Sequence, residues 1–181
     1  MKHITVNTYQ KDKYYPRVVR AVEKILARAD VVAPSDILIE MGNLSKKNYE
    51  AWRKGQVPYL EQVFAGSLSK ANRILRIIGF YVHDLNMVSR QMVYHQWGKG
   101  KNRILRFSKS GDPNIEKAYS RHYSWNQSPQ KKQIAINNAN KAVQLIRAIA
   151  GQLKSSSKVK SQLLLPILCN GPGNCPLTLE E

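Results

Sequence analysis

The sequence predicts a mainly helical domain with a helix-turn-helix-like start and a small β-hairpin, followed by a C-terminal helix and tail. Three observations carry that prediction. Apolar residues recur at three- and four-residue spacing through Val18–Leu26 and Leu60–Ile78. Proline or a capping residue heads several of these stretches, and glycine follows them. Between Gln91 and Phe107 the pattern changes to strand-favouring residues on either side of Gly98-Lys99-Gly100-Lys101.

Residues 1–15 are polar and aromatic, with Tyr9, Tyr14 and Tyr15, and read as an arm or a short edge strand. Pro16 opens a helix at the one place where its missing N–H does no harm. Val18, Val19, Val22, Ile25, Leu26 and Ala29 define its buried face, with Arg17, Arg20, Lys24 and Arg28 largely off it. Pro34-Ser35-Asp36 starts a short second helix with Ile37, Leu38 and Met41 inward, and Gly42 ends it as a left-handed cap. Ser45 caps a third helix that runs to about Lys54, where Gly55 stops it. The longest early helix is predicted from Pro58. Its stripe is Leu60, Val63, Phe64, Leu68, Ala71, Ile74, Leu75 and Ile78, and it extends past Gly79 toward Val82 and Leu85.

Gln91–Trp97 predicts one arm of a hairpin and Arg103–Phe107 the other. A helix over 89–97 is the alternative, since Met92, Val93 and Gln96 also fit helical spacing. Asp112-Pro113 starts the next helix, with Ile115, Ala118, Tyr119 and His122 sharing a face, and 124–130 is a polar hinge. Ser128-Pro129 starts a last long helix. In it Ala135, Ala139, Ala142, Ile146, Ile149 and Leu153 follow the stepping of a coiled-coil seam. A basic linker, 154–158, and a cysteine-containing tail complete the chain. The expected division is therefore a basic helical domain at 1–125 and a helix, linker and tail at 126–181.

Charge narrows the function. Twenty-nine Lys and Arg against twelve Asp and Glu give the chain a formal charge of +17. Solubility does not need so much of one sign, and such a surface attracts polyanions. Between Glu116 and Glu180 no carboxylate occurs, so the cations of that stretch have no local partners. No apolar run approaches the roughly 20 residues of a membrane span. Met1-Lys2-His3-Ile4-Thr5 has no apolar signal core, so a cytoplasmic location is expected and membrane association is not.

Three helices followed by a basic hairpin resemble, in that order, a winged helix-turn-helix domain. The resemblance implies that the helix over 46–54 would enter a DNA major groove while the hairpin touches the backbone. Lys46, Lys47, Asn48, Arg53 and Lys54 would then be the reading residues, since Asn and Arg contact base edges bidentately. Lys99, Lys101, Arg103, Arg106 and Lys109 would meet phosphates. Asn43 and Asn48 stand where a helix-turn-helix turned at Gly42 would carry apolar residues, and Tyr49 and Trp52 read as core.

Three further features bear on chemistry. Leu105–Pro113 contains Ser, Lys and Gly beside a helix start, a composition that cradles phosphates, but the phosphate-loop pattern is absent and Asp112 would oppose an anion. The turn reading is favoured there. Cys169 and Cys175 flank Asn170-Gly171-Pro172-Gly173-Asn174, which allows a labile disulfide; they lack the further ligands of a zinc site, and two ordinary thiols are the expectation. Between residues 62 and 179, Asp84, Asp112 and Glu116 are the carboxylates a metal-dependent nuclease could use, and so few disfavour one. No cofactor, metal or catalytic residue is expected. The leading expectation is a non-enzymatic nucleic-acid-binding protein, with DNA favoured over RNA. The rivals are an adaptor that pairs with a protein partner or a second copy through 135–153, and a nucleic-acid-processing enzyme.

Overall fold

The computed structural model describes residues 4–98, 103–138, 140–141, 144–145 and 148–149. The chain divides into two units, Met1–Val143 and Gln144–Glu181, and every element bounded below belongs to the first. That unit is mainly helical and carries one small three-stranded antiparallel sheet. Among the described residues no helix is long and apolar enough to cross a membrane.

Helix α1, Tyr15–Leu26, has Pro16 in its first turn and buries Val18, Val19, Val22, Ile25 and Leu26, as the spacing predicts. Strand β1 is Val31–Val32. Helix α2, Pro34–Glu40, ends at Gly42, whose φ of 71° is the predicted left-handed cap. Helix α3, Lys46–Arg53, begins where Ser45 Oγ accepts the Asn48 N–H at 3.1 Å. Helix α4, Leu68–Asp84, is the spine of the core, with Ala71, Ile74, Ile77, Ile78 and Val82 almost fully buried. Strand β2 is Val88–Gln91. Helix α5, Pro113–Ser120, starts on Asp112, whose carboxylate accepts the Asn114 and Ile115 N–H groups at 2.8 and 3.1 Å. It runs directly into β3, Arg121–Ser124. A further helical stretch covers 129–138, starting at Pro129 as predicted.

Four expectations are corrected. The N-terminal residues form neither an arm nor an edge strand. A 3-10 turn at Tyr9–Lys11 drives Tyr9 into the core, 5.5 Å from both the Tyr15 and Phe80 ring centres. Its hydroxyl donates to Asp84, so burial leaves no polar group unpaired.

The helix predicted from Pro58 is broken. Leu60–Val63 is a separate 3-10 turn, because the Leu60 and Glu61 N–H groups bond the carbonyls of Arg106 and Phe107 at 3.2 and 2.9 Å. Asn43 clasps Ala65 through two hydrogen bonds of 2.7 and 3.1 Å, and Ser67 then caps α4 afresh. Buried Asn43 thus has a use that apolar spacing could not show.

The hairpin arms meet where expected, but outside the sheet. Leu105 N–H donates to the Tyr94 carbonyl at 2.8 Å and Gln96 N–H to the Arg103 carbonyl at 2.9 Å, around a bridge between His95 and Ile104. The sheet instead has order β1-β3-β2, with Val88 opposite Ser124 and Gln91 opposite Arg121. His122 therefore lies in the central strand and not on the α5 face.

Candidate nucleic-acid interface

Helix α3 and the 94–105 hairpin are held together at the C-terminal end of the helix. The Arg53 guanidinium lies between two rings, 4.9 Å from the centre of Tyr94 and 4.7 Å from that of Trp97. The Arg53 carbonyl accepts the Trp97 N–H at 2.7 Å, and the Lys54 carbonyl accepts the Gln96 side-chain amide at 2.9 Å. Gly55 has φ 75°, and a Cβ there would lie 2.5 Å from the Gln96 side chain. The left-handed φ favours glycine here, and any side chain would also have to displace the end of Gln96.

Beneath this contact the aromatic residues form a continuous cluster. Trp52 is fully buried, its ring centre 5.0 Å from Phe107 and 5.6 Å from Tyr94, and its indole N–H donates to the Arg106 carbonyl at 2.8 Å. Phe107 stacks on Tyr119 at 5.5 Å. Tyr94 donates to or accepts from His122 at 2.6 Å, and burial pushes its hydroxyl up to about 12. Burial also lowers the affinity of His122 for a proton. The cluster is a rigid base with a ragged rim: Trp97 remains 46% exposed, and Tyr49, at 6.3 Å from it, is half-buried.

The cations lie on α3, on the returning arm and beyond it. Lys46, Lys47 and Lys54 are exposed, Asn48 is half-buried, and Arg53 is the clamped residue just described. Eight residues of helix rise about 12 Å, so Lys46 and Lys54 lie within that reach of one another along α3. Lysines in the first turn oppose the helix dipole and cost it stability, while they favour an arriving anion. Arg103 and Arg106 are exposed on the returning arm, and Lys109 is exposed beyond it. Lys99 and Lys101 lie outside the described residues.

Ion pairing does not neutralise this set. Lys24 and Arg28 pair with Glu40, Arg73 with Asp12, and Lys132 with Asp30. Lys46, Lys47, Lys54, Arg103, Arg106 and Lys109 take no part in them. Several carboxylates are instead spent on backbone and hydroxyl groups.

The 107–111 loop shows where two of them go. Glu116 accepts the Phe107 and Ser108 N–H groups at 3.0 and 2.7 Å and the Ser108 hydroxyl at 2.6 Å. Glu61 accepts the Lys109 N–H at 3.1 Å, and Ser108 Oγ accepts the Gly111 N–H at 2.9 Å. The Phe107, Ser108, Lys109 and Gly111 N–H groups are committed within the fold, in keeping with the turn reading. Arg106 closes the same loop by donating to the Lys109 carbonyl at 3.1 Å. Asp84, Asp112 and Glu116 have separate duties, to Tyr9, to the α5 cap and to this loop. Among the described residues no group of three or more His, Cys, Asp or Glu could hold a metal ion, and Cys169 and Cys175 lie outside them.

Residue spacing identified the basic residues but missed the Tyr94–Arg53–Trp97 clamp and the Gln96–Gly55 contact. A tryptophan inside a basic hairpin was the only sign of them. The chain matches no protein-family model, no curated protein and no solved structure.

Proposed function

We propose that this protein binds nucleic acid, double-stranded DNA foremost, with α3 and the 94–105 hairpin forming the contact face. The observation that carries the reading is that Lys46, Lys47 and Lys54 on α3 and Arg103, Arg106 and Lys109 on or beyond the arm clamped to it are exposed and make none of the ion pairs named above. Exposed cations without a carboxylate partner remain available to a polyanion. In this reading α2, the Gly42 turn and α3 act as a helix-turn-helix and the hairpin as its wing. Lys46, Lys47 and Asn48 face the groove, and Arg103 and Lys109 meet phosphates. Arg53 acts by positioning Trp97.

Affinity would come mainly from counterion release, so it falls steeply with salt. Fluorescence anisotropy of labelled duplex DNA, duplex RNA and single strands over a salt series tests this. The expected result is tightest binding to duplex DNA and a shallower salt slope in Lys46→Glu/Lys47→Glu and in Arg103→Glu/Lys109→Glu. Failure to bind any of these polymers at low salt overturns the reading.

A second reading is pairing with another chain through the C-terminal helix. Leu145 and Ile149 favour it, being 63% and 50% exposed. Light scattering at high salt separates the two, since a dimer that persists without nucleic acid supports pairing.

A further inference from the structure

A cavity of ligand size lies in a groove lined by α4, α5 and β3, apart from the α3 and hairpin residues described above. Its volume is about 880 Å³, within the roughly 300–1,000 Å³ of small-ligand sites. None of the candidate interface residues lines it. Its apolar part is made by Leu75, Phe80, Ile115, Ala118 and Tyr123. Lys117, Arg121 and His83 bring positive or protonatable groups, Asn72 and Asn114 bring amides, and Asp84 and Asp112 bring carboxylates.

Gly79 supplies a second, independent observation. It sits inside α4, where glycine weakens a helix relative to alanine. Such a residue is normally explained by a left-handed backbone or by tight packing, and neither holds. Its φ is not in the left-handed region, and a Cβ built on it meets no atom within 4 Å. The position faces open groove. A side chain would fit the protein but would occupy the space.

We propose that this groove binds a nucleoside phosphate. An apolar and aromatic floor suits the base, the Asn72 and Asn114 amides suit its polar edge and the sugar hydroxyls, and Lys117 and Arg121 suit the phosphate. The ligand is either a free nucleotide or the terminal nucleotide of a strand, which share this chemistry. The proposal rests on the groove and stands or falls apart from the α3 surface.

The test is calorimetric titration of the full chain with AMP, with inorganic phosphate, and with a short oligonucleotide carrying or lacking a 5′-phosphate. Saturable AMP binding at high salt is expected, with phosphate much weaker. Gly79→Phe changes no charge, so it separates a shaped site from general attraction to a basic surface. It is expected to weaken AMP by about tenfold or more, the scale of forcing a side chain into occupied space. Ala118→Phe, from the opposite wall, is expected to do the same and serves if Gly79→Phe fails to fold by circular dichroism. A preference for the 5′-phosphorylated oligonucleotide over AMP, lost in either variant, assigns the groove to strand ends. The proposal is overturned if AMP does not bind, if phosphate binds as tightly, or if a folded variant binds AMP like the parent.

Discussion

Arg53 and Trp97 are joined twice. The guanidinium lies 4.7 Å from the centre of the indole, and the Trp97 N–H donates to the Arg53 carbonyl at 2.7 Å. One contact fixes the side chains and the other fixes the backbone, so the last turn of α3 and the descending hairpin arm behave as one piece. Arg53→Ala removes the cation–π contact with both Trp97 and Tyr94 and is expected to cost about 1–2 kcal/mol. Urea unfolding measures that cost. Tryptophan emission should show Trp97 moving to a more aqueous setting, and hydrogen exchange should quicken at Gln96 and Leu105.

Gly55→Ala imposes a left-handed conformation on alanine and drives its Cβ into Gln96. A loss of about 1–3 kcal/mol is expected from the two effects together. Gly55→Ala combined with Gln96→Ala removes the collision but keeps the strained φ. Recovery of part of the loss in the double variant, by thermal unfolding, identifies the steric share.

Glu23 is 5% exposed, and its Oε1 has no hydrogen-bond partner. Burial pushes its carboxyl up to about 7 from the ordinary 4.5, with Arg20 opposing weakly. Below pH 4.5 folded and unfolded forms are both protonated there. Between 4.5 and 7 the unfolded chain gives up a proton that the folded protein keeps, so stability falls as pH rises and levels off above 7. The whole loss amounts to about 3 kcal/mol. Glu23→Gln should be free of it and gain on the parent between pH 5 and 8. The gap between the two denaturation midpoints across that range reads out Glu23 alone.

Glu116 serves three donors in the 107–111 loop. Glu116→Ala leaves them to compete for water inside a half-closed turn, at a cost of about 3–5 kcal/mol. Amide exchange at Phe107 and Ser108 should accelerate more than exchange in α1. Uniform acceleration across both regions would mean that the loop is not a separate unit.

Local signals were legible. Pro16, Gly42, Ser45, Gly55 and Asp112 each act on the backbone within four residues, and each does what its type dictates. Distant pairings were not. The break at 60–67 depends on carbonyls of Arg106 and Phe107 and on Asn43, and none of these leaves a mark in the local period. Strand β3 reads as polar, and its partner β2 is a long way back along the chain, so the sheet had no local sign. In the candidate interface the cations were visible as residue types. Which of them is clamped, and which stands free of a carboxylate, follows only from the fold.

Asp12, Glu23 and Glu61 are buried, and Glu23 tends to hold its proton. Folding therefore hides negative groups while Lys46, Lys47, Lys54, Arg103, Arg106 and Lys109 stay outside. The native molecule presents a more one-sided exterior than its amino-acid tally suggests, and it should elute later from a cation-exchange column than that tally implies.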